Sequence, residues 1–175
     1  MGLGNQGRVD ARLVRALAGI QTGVLGGLAM WGWLAASSAV DRQPVWTIPN
    51  LLASVFYGRD VLRRDFSGLT IAGLALHLFA AGLAGLLFGL LIGESQNRLR
   101  VALLGILTGL VWYHFSEVLF WRKLGALAAI YSPVRPMLLA HLIYGFALAW
   151  YPSALGAARR QFPEEPAPPG APEAM

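Results

Sequence analysis

GLTIAGLALHLFAAGLAGLLFGLLIG, residues Gly68 to Gly93, decides the fold. The run contains no aspartate, glutamate, lysine or arginine, and its one ionisable side chain is His77. As a helix at about 1.5 Å per residue it would be about 39 Å long. A bilayer's hydrocarbon core needs about 20 apolar residues, so the run can cross a membrane with room to tilt. Gly85, Gly89 and Gly93 recur every fourth residue toward its end, and His77 lies toward its start.

The composition agrees with lipid as the solvent. Hydrophobic residues make up 56% of the 175-residue chain and charged residues 13%. The charged share of a soluble domain is about 25%. There are no cysteines, which excludes disulfides, thiol nucleophiles, c-type haem attachment and cysteine-ligated metal clusters. The net charge is +5. Its arginines stand at the ends of apolar runs rather than in one basic stripe, as membrane-interface anchors do, so nucleic acid is not an expected partner.

Working outward from residues 68–93, three more apolar runs read as spans. Residues 1–12 form a polar tail, and Arg8, Arg12 and Arg15 precede the apolar run 16–40. That run exceeds the core of about 7–15 residues in a signal peptide, so it reads as an uncleaved first span. The third span is 101–121 and the fourth 136–152, with Pro133 and Pro136 marking the turn between them. Between the first two spans, Thr47 can cap a short helix over 48–57 that Gly58 ends. Ile48, Leu51, Leu52, Val55 and Phe56 share one face of it, and it is too short to span, so it is expected at the interface or re-entrant. Arg59, Asp60, Arg63, Arg64 and Asp65 read as a solvated loop, Leu124–Tyr131 as an interfacial stretch, and the proline- and glutamate-rich residues 153–175 as a disordered tail. The expected architecture is all-α: a polytopic bundle of four transmembrane helices over 13–152 with one interfacial helix.

Four spans put both termini on one side of the membrane. The 14 basic residues then divide evenly. Arg8, Arg12, Arg15, Arg98, Arg100, Arg159 and Arg160 lie on the terminal side; Arg42, Arg59, Arg63, Arg64, Arg122, Lys123 and Arg135 lie opposite. The count gives no orientation, but the three arginines ahead of the first span place the termini in the cytoplasm.

Depth sorts the polar and small residues into two layers. Gly19, Gly23 and Gly27, then Gly85, Gly89 and Gly93, then Gly105 and Gly109 all fall in the half nearer the termini. Small residues four apart let helix backbones approach closely, so these positions are expected to pack helices. The opposite half holds His77, His114, Glu117 and His141 with many aromatics. Neutral imidazole ligates metals, so His77, His114, Glu117 and His141 can be read as a zinc, copper or iron set. His77, His114 and His141 can equally be read as holding a haem or chlorin ring. The plainer alternative is that each histidine hydrogen-bonds a neighbouring helix and no cofactor is present. His114 lies about 140–180° around its helix from Gly109 and Gly105, at about 100° per residue.

Strong catalytic motifs are missing: there is no Gly-x-Ser-x-Gly elbow, no His-Glu-x-x-His and no phosphate-binding Gly-x-x-x-x-Gly-Lys. The expectation is a non-enzymatic membrane protein, an accessory or structural subunit whose partners are lipid, other membrane subunits or further copies of itself. A histidine-based electron-transfer protein, and a small transporter or channel with a proton path through Glu117, stand as alternatives.

Several short motifs occur in order: Pro49-Asn50-Leu51-Leu52-Ala53 with Tyr57-Gly58; His77 with Gly85 and Phe88-Gly89; Trp112; and His141 with Tyr144-Gly145. Over residues 46–146 this pattern resembles a group of small, uncharacterised four-helix bacterial inner-membrane proteins. The resemblance implies the four-helix architecture and an inner-membrane location, and it implies no activity.

Overall fold

A computed structural model describes residues 10–95, 97–117 and 133–161. All regular structure among them is helical. Helix α1 spans Ala11–Val40, α2 Thr47–Tyr57, α3 Gly68–Ile92 and α4 Arg98–Phe115. A 3-10 turn at Arg59–Arg63 follows α2. The last helical stretch is α5, Val134–Ala147, continued through a 3-10 turn at Leu148–Trp150 into α6, Tyr151–Gln161.

Local chemistry sets these boundaries. Asp10 caps α1, its carboxylate accepting from the Arg12 N–H at 2.6 Å, which satisfies one of the free amides of a first helical turn. Gly58 and Gly93 stop α2 and α3 with φ of 81° and 63°, a conformation that costs glycine nothing. Asn97 accepts from the Arg100 N–H at 3.1 Å and so opens α4.

Three helical stretches are long and apolar enough to cross a membrane: Ala11–Val40, Gly68–Ile92 and Val134–Gln161. The first begins earlier than residue 16 because Asp10 supplies the cap. The expected third span, 101–121, is not among them. Its described part, α4, is 18 residues long, and Arg98, Arg100 and His114 near its ends lower its apolarity. Ser116 and Glu117 continue it as a π turn. Residues 118–132, including the expected interfacial stretch 124–131, lie outside the described residues.

The fourth span differs from expectation at its end. The sequence places its end at residue 152, with a disordered tail from residue 153. Instead the helix continues to Gln161. Pro152 is the second residue of α6, just after the 3-10 turn, a position whose N–H needs no helical partner. Residues 162–175 lie outside the described residues. The short helix also differs: its N-cap position is Trp46, which makes no side-chain cap, and the Thr47 hydroxyl donates back to Pro44 O at 2.6 Å.

The middle turns of α1 are inside-out by soluble standards, while Val14, Met30 and Leu34 are buried toward its ends. Helix α1 turns Ala18, Gly19, Thr22, Gly23, Gly26 and Gly27 inward and leaves Leu13, Leu17, Ile20, Leu25 and Leu28 exposed. Large apolar residues outside and small ones inside suit a chain whose solvent is lipid, where close backbone packing rather than apolar burial holds helices together.

Helix α1 is central. It packs antiparallel on α3, with Gly19 against Gly85 and Gly89, Gly23 against Ala81 and Gly85, and Gly27 against Ala81. On its other side it packs on α5 and α6, where Gly26 receives the Tyr144 ring. A second glycine seam joins α4 to α5, with Gly105 against the Gly145 carbonyl and Gly109 against the His141 carbonyl. Helices α3 and α4 scarcely touch. Helix α2 lies on α3, seated by Gly73 under the Pro49 carbonyl. Of the eight glycines expected to pack helices, Gly93 is the exception: it is the cap of α3, and the nearest atom to a side chain there would be Arg15 Nη1 at 3.5 Å.

Candidate functional site

Buried polar groups pick out the half of the bundle where α1 ends and α3 and α5 begin. There Asn50 of α2 donates from Nδ2 to Arg64 O at 2.9 Å and accepts from the Thr70 hydroxyl at 2.7 Å. Both Asn50 and Thr70 are buried. The pair fixes the loop after α2 and the start of α3 to one another. Trp33 Nε1 donates to Pro136 O at 3.0 Å and ties the end of α1 to the start of α5.

These ties frame two neighbouring cavities. The outer one is a vestibule of about 680 Å³ whose wall carries Asp41, Arg59, Asp60 and Arg63 together with Ser37, Ser38 and Gln43. The mixed-charge stretch after Gly58 is therefore part of a cavity wall rather than only a solvated loop. Leu34 and Ile48 also line the vestibule, and both belong as well to an inner chamber of about 230 Å³. The chamber lining is apolar except for His77, His141, Tyr144 and the indole of Trp112, and Phe115 adds a second aromatic wall.

Backbone carbonyls hold both imidazoles in place. His77 Nε2 is 2.9 Å from Gly27 O. A carbonyl only accepts, so Nε2 carries the proton and Nδ1 keeps a lone pair. The contact depends on the glycine seam, which brings the backbone of α1 within reach of α3. His141 Nδ1 is 2.8 Å from Met137 O, so its proton is on Nδ1 and the lone pair on Nε2. Ser116 Oγ lies 3.4 Å from that Nε2 but spends its hydrogen on Tyr113 O at 2.9 Å. The edge of the Tyr113 ring packs on His141 with centroids 5.3 Å apart. Tyr144 donates its hydroxyl to Ala81 O at 2.7 Å.

The structure therefore brings His77 and His141 together and separates His114 from them. His114 is exposed on α4, and its neighbour Phe115 takes the chamber wall instead. Glu117 is half-buried in the π turn and lines neither cavity. Among the described residues no group of three or more His, Asp or Glu is placed to hold a metal ion. The expected set of His77, His114, Glu117 and His141 is thus not assembled, because the seam between α4 and α5 rotates His114 outward. A tetrapyrrole also fits poorly, since the chamber is below the volume of about 300–1,000 Å³ typical of drug-sized ligands.

Sequence reasoning missed Tyr144 as a chamber residue, and with it the vestibule. The signal for Tyr144 was its position three residues after His141 and next to Gly145, on the face that must meet another helix.

No protein-family model, curated protein or solved structure matches the chain.

Proposed function

We propose that this chain is a non-enzymatic, four-span protein of the bacterial inner membrane, with its termini in the cytoplasm, that binds a small molecule in the chamber between His77 and His141. One observation carries the reading: two imidazoles from separate helices, each with its proton committed to a backbone carbonyl, line one cavity that shares Leu34 and Ile48 with a polar neighbour. Ionisable residues inside a membrane segment are costly and mark function by default. Helix α4 is the fourth span of this proposal.

The test is native mass spectrometry of the protein released directly from its host membrane. A reproducible small-molecule adduct is expected on the wild type. It should be lost in the His77→Ala and His141→Ala variants and kept in His114→Ala. No adduct on the wild type, or an equal adduct on all four proteins, would overturn the reading.

A second reading, the accessory subunit, is favoured by the scant contact between α3 and α4. That edge can receive a helix of another membrane subunit or of a second copy. The native mass of a chromosomally tagged copy tests it. A defined complex with other proteins is expected, and a monomer in mild detergent would count against it.

A further inference from the structure

At the opposite end of the bundle from the chamber, a groove of about 340 Å³ lies between the start of α4 and the junction of α5 with α6. Ala102 and Ala149 give it depth, because their side chains are single methyl groups, and Phe146 and Trp150 wall it, edge to face with ring centroids 5.8 Å apart. Both rings are exposed, so the groove is open to lipid. Its polar side chains are Arg98, Ser153 and the indole N–H of Trp150. All three can donate a hydrogen bond, and among the described residues none of them is engaged in a hydrogen bond or ion pair. No carboxylate lines the groove; Glu94, four residues before Arg98, is held by Arg159 at 2.9 Å. A second cation comes from α6. Ser153, Gly156 and Arg160 share one face of that helix, and Arg160 folds back along it, its Nη1 3.8 Å from where a side chain on Gly156 would begin.

We infer that this groove seats one anionic phospholipid of the surrounding bilayer, with the phosphodiester on Arg98, Ser153 and Trp150 and an acyl chain along Phe146 and Ala149. The argument is one of matching. The groove is apolar along its length and carries donors and a cation where α4 begins, the level at which a spanning helix meets the headgroups. A guanidinium is a strong partner for phosphate oxygens, an indole sits at the headgroup level, and basic pockets between membrane helices hold anionic headgroups. A zwitterionic lipid would bring its ammonium beside Arg98 and Arg160 with no carboxylate in the groove to receive it. Free phosphate would leave the apolar walls unused. The basic cluster at the other end of the bundle is different in kind, since Arg59 and Arg63 share their cavity wall with Asp41 and Asp60. The groove is separate from the chamber between His77 and His141, and the inference does not rest on that site.

The experiment is native mass spectrometry of the full chain, stripped of lipid in detergent and titrated with phosphatidylglycerol or with phosphatidylcholine of the same acyl chains. The first phosphatidylglycerol is expected to bind at least about tenfold more tightly than the first phosphatidylcholine, the contribution of two arginines near a headgroup. Arg98→Gln combined with Arg160→Gln should bring that ratio close to one. Arg42→Gln combined with Arg135→Gln removes as many charges at the other end of the bundle and should leave the ratio as in the wild type. Ala102→Trp, which fills the groove without removing charge, should weaken phosphatidylglycerol binding as well. Equal binding of the two lipids by the wild type would overturn the inference. So would an equal fall of the ratio in the two double variants, which would mark a general effect of charge rather than a site. Inorganic phosphate in large excess should not displace the lipid; if it did, the groove would be a phosphate site and the lipid assignment would fail.

Discussion

The Tyr144 hydroxyl donates to the carbonyl of Ala81 at 2.7 Å, so a side chain of α5 is bonded to the backbone of α3 past the central helix between them. Tyr151, seven residues on and on the same face, repeats the device. Its hydroxyl lies 3.0 Å from Gly89 O and 2.8 Å from Gly93 O, and its ring meets Phe88 edge-on at 5.9 Å. Both tyrosines are buried. The carbonyls can serve because Gly85 and Gly89 let α1 and α3 close up, which draws α5 and α6 within reach of α3.

Tyr144→Phe should therefore destabilise the bundle without emptying its core. Interhelical hydrogen bonds in membranes average about 0.6 kcal/mol and reach about 1.7. A loss in that range is expected for Tyr144→Phe, and a similar one for Tyr151→Phe. Unfolding in mixed micelles of increasing SDS content measures it. A wild-type midpoint for both variants would show that the hydroxyls contribute nothing.

The glycine seam makes a sharper claim. A methyl group at Gly85 would run into the Gly19 carbonyl and lie 2.6 Å from Gly23 Cα, which is backbone and cannot swing away. At Gly32, in α1, nothing lies within 4 Å. Gly85→Ala should cost about 1–3 kcal/mol as overpacking. Gly32→Ala should be neutral or stabilise by up to about 1 kcal/mol through helix propensity. Thermal melting in one detergent compares them, and similar melting temperatures for the two variants would contradict the seam.

The same seam explains what could be read from the sequence and what could not. The edges of α3 were legible because Gly68–Gly93 is apolar throughout and ends on a glycine. The depth of the histidines was legible by counting residues. Their rotation was only partly so. His77 is four residues from Ala81, and His141 four from Gly145, about 40° around the helix in each case at about 100° per residue. Both therefore share the seam face and point inward. His114 lies about 140–180° from the glycines of its own helix, so when those glycines pack on α5 it must face outward. The spacing held that answer, but depth alone suggested a three-histidine layer. The vestibule was not legible, because it depends on how the loop after α2 folds back over the bundle. The helix beyond Pro152 passes a proline because a proline stops a helix only where its missing N–H is needed, and the 3-10 turn before it removes that need.

The loop that walls the vestibule hangs on Asn50, and this gives the last prediction. Asn50 makes two bonds of opposite sense, donating to Arg64 O and accepting from Thr70. Asn50→Asp keeps the acceptor and loses the donor, while Asn50→Leu loses both and leaves the buried Thr70 hydroxyl without this acceptor. An unsatisfied buried group costs about 1–3 kcal/mol, and a loss in that range is expected for Asn50→Leu. The informative readout is local rather than global. Amide hydrogen exchange over residues 58–66 should accelerate in both variants, because the Arg64 carbonyl has lost its donor and the turn Arg59–Arg63 is held at one end only. Exchange within residues 76–90, deep in the seam with α1, should stay as in the wild type. Uniform acceleration across both segments would mean that Asn50 supports the whole bundle and not the vestibule wall. No acceleration in either would mean that the loop is held by its other contacts.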